Sequence, residues 1–168
     1  GTAETICTAT LVGSKTVLTA AHCCKPSKTN LFQLDGKIHK VSKVVPHPSW
    51  KSSAPYKHDV GIAVLASALT KPRARAGTVK PAKGMKVTLV GFGRTKENIK
   101  DSGTKRKASN TIASVGSGYF TVTGTGNGSG NSCSGDSGGP VYTASGAGEV
   151  VVGVISARQS PCGIKSYH

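Results

Sequence analysis

Residues 131–140 read NSCSGDSGGP. Ser137 stands between Asp136 and a pair of glycines, and Pro140 closes the run. Glycine is placed where no side chain fits or where φ must be positive. A serine in that setting is a turn residue or a hydroxyl held out for chemistry. The remainder of the chain has to distinguish the two.

A serine hydroxyl is a weak nucleophile until a neighbour takes its proton, and histidine, with its near-neutral pKa, is the usual base. The histidines are His22, His39, His47, His58 and His168. His22 lies in LTAAHCC, where small alanines follow an apolar run and a cysteine comes next. A base of this kind needs a third group to fix its tautomer. Asp59, in HDVGIAVL, stands at the mouth of an apolar strand, where a carboxylate is costly unless paired.

The surroundings of these residues read as strands. TATLVG, KTVLTAA, HKVSKVV, GIAVLAS, MKVTLVGFG, GYFTVTG, GPVYTA and EVVVGVISA are short apolar runs rich in Val, Ile and Thr, separated by turn signals. No long segment holds a 3.6-residue apolar period. The expected class is all-β, as a barrel or a sandwich. Residues 70–84, TKPRARAGTVKPAKG, are basic and carry two prolines, which suits a connector between lobes. Residues 96–110 are polar and charged and read as an exposed loop. Residues 124–131, GTGNGSGN, lead into the serine run and not into a helix, so they do not suit a nucleotide site. Asn127-Gly128-Ser129 is a formal glycosylation triplet.

Charge is lopsided, with 22 Lys+Arg against 7 Asp+Glu and a net charge of +15 over 168 residues. This serves as a solvated surface, or it attracts a polyanion such as an acidic glycan, a membrane surface or nucleic acid. Aromatic residues are too few to stack successive bases, which argues against sequence-specific nucleic-acid binding. No apolar run approaches the ~18 residues of a membrane span. The five cysteines, Cys7, Cys23, Cys24, Cys133 and Cys162, form no C-x-x-C pair. Two distant pairs plus one leftover suit an oxidising compartment, the odd one being a free thiol or bonded to a cysteine outside this chain. A metal site built from His22, Cys23 and Cys24 is disfavoured, because adjacent side chains rarely converge on one ion and no second ligand pair is spaced to help. No cofactor is implied.

TAAHC, HDVGIAVL and GDSGGP, in that order, resemble the three signature segments of the chymotrypsin/trypsin family of serine proteases. VVPHPSW, GFGRT and GVISA with Cys162 resemble further family stretches, with Phe92 where the family usually has Trp. The resemblance implies two antiparallel β-barrel lobes of the six-stranded type, at 1–78 and 79–168, with the site in the cleft between them. It implies a triad of Ser137 as nucleophile, His22 as base and then acid, and Asp59 as its orienter. It implies an oxyanion hole from the N–H groups of Gly135 and Ser137. It also implies bridges Cys7–Cys23 and Cys133–Cys162, leaving Cys24 unpaired, and a primary pocket built from Asn131, Ser132, Ser156 and Arg158. Asn131 carries no charge, and Arg158 stands where the family has glycine. Cleavage after Lys or Arg is therefore not expected, whereas small, polar or acidic residues are candidates.

The family's amino terminus pairs with the carboxylate beside the nucleophile, here Asp136. Gly1 lies only six residues before Cys7, and the chain stops six past Cys162. The expectation is a family core lacking both ends, each lobe being incomplete, or a compact divergent member. Protein or peptide substrates and protein protease inhibitors are the expected partners. Two rivals to a secreted endopeptidase are a catalytically inactive relative that binds polyanions through its basic face, and an esterase using the same triad. The intact triad argues against the inactive relative.

Overall fold

Burial alternates along the strands of the molecule, as in β2, where Val17 and Thr19 are buried and Thr16 and Leu18 are half-buried. That period of two is what a sheet with one covered face requires. The computed structural model describes residues 6–26, 28–54, 56–124, 130–146, 148–162 and 164–168. The glycosylation triplet 127–129 lies outside them.

Strands β1 (Thr10–Leu11), β2 (Thr16–Thr19), β3 (Leu31–Leu34), β4 (Lys37–Pro46) and β5 (Gly61–Leu65) form one antiparallel sheet, in the order β1-β2-β5-β4-β3. Strands β6 (Lys86–Gly91), β7 (Arg106–Gly116), β8 (Tyr119–Thr123), β9 (Pro140–Ser145), β10 (Gly148–Val154), β11 (Ala157–Arg158) and β12 (Lys165–Tyr167) form the second, in the order β10-β9-β6-β7-β8-β12-β11. Both sheets are curled half-barrels. The described strands thus divide five and seven, where six and six were expected.

Each sheet closes on its own core. Leu11, Val17, Phe32, Ala63 and Leu65 pack in the first. Val87, Leu89, Ile112, Phe120, Val122, Val141 and Ile155 pack in the second. In the first sheet, Asp35 and Gly36 (φ 50° and 74°) turn β3 into β4. Two positive φ values in a two-residue hairpin match the twist of the strands it joins. A bulge between Val41 and Lys43 bends β4, so that it pairs with β3 before it and β5 after it.

Two expectations change. Residues 96–110 are not all loop, because β7 begins at Arg106. Its outer face is charged and polar, so the alternation of half-buried and exposed residues is masked in composition. The connector 70–84 is also less free than it reads. Ala74 N–H donates to Leu11 O at 2.9 Å in the first lobe, and Val151 N–H of the second lobe donates to Arg75 O at 2.8 Å. The chain is therefore bonded to the second sheet before residue 79. No described helix is long and apolar enough to cross a membrane.

Candidate active site

The seam between the sheets collects the singled-out residues. His22 sits in a one-turn 3-10 helix, Ala21–Cys23, directly after β2. Ala20 and Ala21 are fully buried, which explains why small residues precede the histidine. The Cys7–Cys23 bridge fixes this turn from behind, with its Cα atoms 6.4 Å apart.

Asp59 precedes β5, and its side chain is only 1% exposed. Its carboxylate accepts from the His22 backbone N–H at 2.9 Å, and the imidazole Nδ1 lies 2.7 Å from the other oxygen. Ser156 Oγ donates to that second oxygen at 2.5 Å. Burial pushes the Asp59 carboxyl up, but the bonds from His22 and Ser156 outweigh it and hold the group below the ordinary carboxylate range. A carboxylate facing Nδ1 keeps the proton there and leaves Nε2 as the basic nitrogen. His168, by contrast, is buried in the second lobe, and desolvation pushes it down to about 3.

Ser137 lies on the loop before β9. Its hydroxyl donates to Ser156 O at 3.3 Å, and its own carbonyl accepts from Thr8 N–H at 2.8 Å. Cys23 Sγ lies 3.9 Å from the same carbonyl oxygen, so the histidine turn abuts the serine loop. Gly135 (φ 96°) takes a left-handed conformation that favours glycine. Among the described residues, the N–H groups of Gly135 and Ser137 find no acceptor. Gly138 (φ 86°) meets the other lobe so closely that a Cβ there would lie 2.2 Å from both Thr19 Oγ1 and Thr8 O. This requirement, and not flexibility, accounts for the glycine that follows the serine.

Thr8 stitches the lobes. Besides its bond to Ser137, it donates from Oγ1 to Gly135 O at 2.9 Å and accepts there from Phe92 N–H at 3.1 Å. Thr19 Oγ1 donates to Thr8 O at 3.0 Å.

A cavity of about 350 Å³ opens beside Ser137, lined in part by Ser132, Ser156, Arg158 and Glu97. Cys133 and Cys162 are bridged at its wall, with Cα atoms 5.0 Å apart. Arg158 does not point to solvent. Its Nη2 donates to Glu97 Oε1 at 2.8 Å and to Ser134 Oγ at 2.9 Å. Glu97 Oε2 accepts from Cys162 N–H at 3.1 Å. The Arg158 guanidinium holds the Glu97 carboxyl below the usual carboxylate range.

Asn131, expected at the base of this pocket, stands elsewhere. Its amide donates to Val122 O at 3.2 Å, and its oxygen accepts from Ser132 N–H and Ser166 Oγ. Those internal bonds consume the side chain. Ser156 lines the pocket but also spends its hydroxyl on Asp59, a role its position in the sequence did not suggest. Glu97 was not singled out at all. One signal was available: acidic residues are scarce in this chain, and each is worth locating.

Asp136 turns into the second lobe. Its carboxylate accepts from Gly93 N–H at 2.7 Å and Cys133 N–H at 2.8 Å. Burial raises its carboxyl, opposed by those two bonds and by Arg106. Among the described residues, no cation forms an ion pair with it. Cys24 is a buried free thiol, which burial and then Asp59 push up. Donor atoms of Cys7, His22 and Cys23 lie within 4.8 Å of one another, but both sulfurs are spent in the bridge.

The trypsin family model matches residues 1–168. Chymotrypsin-like elastase family member 1 of Bos taurus is 33% identical over 89% of this chain, which spans 67% of that relative. The Macaca fascicularis counterpart is 33% identical, and this chain spans 62% of it. Human kallikrein-8 is 29% identical over 95% of the chain and 69% of its own length. Among solved structures, neuropsin, a serine protease expressed in the limbic system of mouse brain, superposes with a TM-score of 0.82. That match has 25% identity and covers 96% of this chain and 82% of the other.

Proposed function

The chain belongs to the trypsin family, and on that premise we propose that it is a secreted serine endopeptidase in which Ser137, His22 and Asp59 hydrolyse peptide bonds. The observation that carries the reading is the buried Asp59 carboxylate, which grips both the backbone N–H and Nδ1 of His22 at the seam where two N–H groups of the Ser137 loop have no acceptor among the described residues.

The chemistry follows from those positions. His22 Nε2 takes the Ser137 proton as Oγ attacks the carbonyl carbon. The carbonyl oxygen gains negative charge, for which the Gly135 and Ser137 N–H groups serve as donors; removing one such donor typically costs about 3 kcal/mol of transition-state stabilisation. The imidazolium, steadied by Asp59, then protonates the departing amine. Water repeats the sequence on the acyl-enzyme and releases the acid. The two disulfides support an extracellular destination. Protein substrates and protein inhibitors would share the cleft. Asp136, with no described cation against it, is the carboxylate on which zymogen-type activation would act.

A fluorophosphonate probe tests the reading. It should label Ser137, and labelling should disappear in Ser137→Ala and fall sharply in His22→Ala. Equal labelling of the Ser137→Ala protein overturns the assignment.

A further inference from the structure

Glu97 belongs to the loop between β6 and β7, yet its carboxylate lies in the cavity beside Ser137. There it receives a charged donor and a backbone donor, one on each oxygen: Arg158 Nη2 at 2.8 Å and Cys162 N–H at 3.1 Å. A guanidinium and a fixed N–H aimed at the two oxygens of one carboxyl group make a carboxylate cradle. The cradle is built from the pocket wall, and its present occupant comes from a separate loop.

That loop is pinned mainly at its base; at Glu97 the backbone is held by one long bond, from Arg94 Nη1 to the Glu97 carbonyl at 3.4 Å, which leaves the side chain to move. Asp101 accepts from Thr95 N–H at 3.0 Å, from Thr95 Oγ1 at 2.8 Å and from Arg106 Nη2 at 3.1 Å. Gly103 N–H closes the loop on Phe92 O at 2.7 Å. Glu97 is thus presented from a braced loop, and its carboxylate is held in the cavity by Arg158 and the Cys162 N–H. Its side chain is 38% exposed and that of Arg158 is 19% exposed. Water therefore reaches the Glu97 end of the pair, while Arg158 is mostly covered, and an ion pair solvated at one end is held less firmly than a fully buried one. The net charge of +15 also draws anionic peptides toward the surface.

We propose that Arg158 and the Cys162 N–H form the binding cradle for an acidic substrate side chain preceding the scissile bond, and that Glu97 occupies that cradle in the resting protein as an internal competitor. The proposal rests on the endopeptidase reading for its purpose, but its binding step does not need turnover. Glu97 lowers the apparent affinity for acidic peptides by the fraction of molecules in which it is withdrawn. If about one molecule in ten is open, affinity falls about tenfold.

The test uses the Ser137→Ala protein, which binds without cleaving, and fluorescent peptides that differ only in Glu, Gln or Lys at the position before the scissile bond. The Glu peptide should bind most tightly. Adding Glu97→Gln should tighten the Glu peptide about tenfold and leave the Lys peptide unimproved. Arg158→Gly should abolish the preference for Glu. Glu97→Gln replaces a partly exposed group by one of equal size, so it reads the proposal even where Arg158→Gly does not fold. Tighter binding of the Lys peptide by the parent, or unchanged Glu-peptide affinity in Glu97→Gln, overturns the proposal. Failed fluorophosphonate labelling of the Ser137 protein counts against the peptidase reading and leaves these binding outcomes interpretable.

Discussion

Replacing Ser156 by alanine removes one hydrogen bond from a carboxylate whose side chain is 1% exposed. A hydrogen bond to a charged group contributes about 1.5–3 kcal/mol, and here neither partner has water to turn to, because Ser156 is 5% exposed. Asp59 would keep its two bonds from His22. The expected loss at neutral pH is therefore about 1.5–3 kcal/mol, or roughly 3–12 °C in Tm for a chain of this size. The pH dependence identifies the route. Asp59 is held below the ordinary carboxylate range in the fold, so its contribution is present above the unfolded-state pKa and fades as pH falls through the folded-state value. Ser156→Ala should thus cost most at neutral pH and progressively less in acid. Urea unfolding of parent and variant across that range, followed by fluorescence, measures the difference. A penalty that stays constant down to the acid limit would show that the hydroxyl acts through packing and not through the Asp59 charge, and would refute the reasoning.

Other outcomes follow from the same geometry. Gly138→Ala should both destabilise the fold and slow any turnover, because its Cβ would strike Thr8 O and Thr19 Oγ1 at a left-handed φ; thermal melting beside probe labelling checks both. Opening the Cys7–Cys23 bridge with paired serines should cost about 3 kcal/mol for its sequence separation of 16, measured by denaturant unfolding. Asp101→Ala should speed amide exchange at Thr95 and Gly103 without changing protection in β9, since it cuts the bonds that brace the loop and touches nothing in the core.

The three residues of the proposed triad stood out because each segment carries a local pattern: alanines before His22, an apolar strand after Asp59, and glycines around Ser137. Most strands were legible for the same reason, as short β-branched runs. β7 was not, because its exposed face is charged and Ile112 is its one fully buried position. β3 was missed although Asp35-Gly36 marks its turn, since only Phe32 of that strand is buried. The pocket was the least legible part. Asn131 is spent on Val122 and Ser166, and Glu97 arrives from a loop 61 positions from Arg158. Such contacts depend on how two loops meet, which no local pattern encodes.

Thr8 has a meaning for how proteins of this kind can be recombined. It precedes the first strand, yet its hydrogen bonds hold Gly135 and Ser137 in place. A chimera spliced at the connector would take its Ser137 loop from one parent and the brace for that loop from the other. The inheritable unit of this site is therefore not a lobe. It is a discontinuous set comprising the residue at position 8, the turn at 92–93 and the loop at 133–139, which has to travel together for a hybrid to keep its geometry.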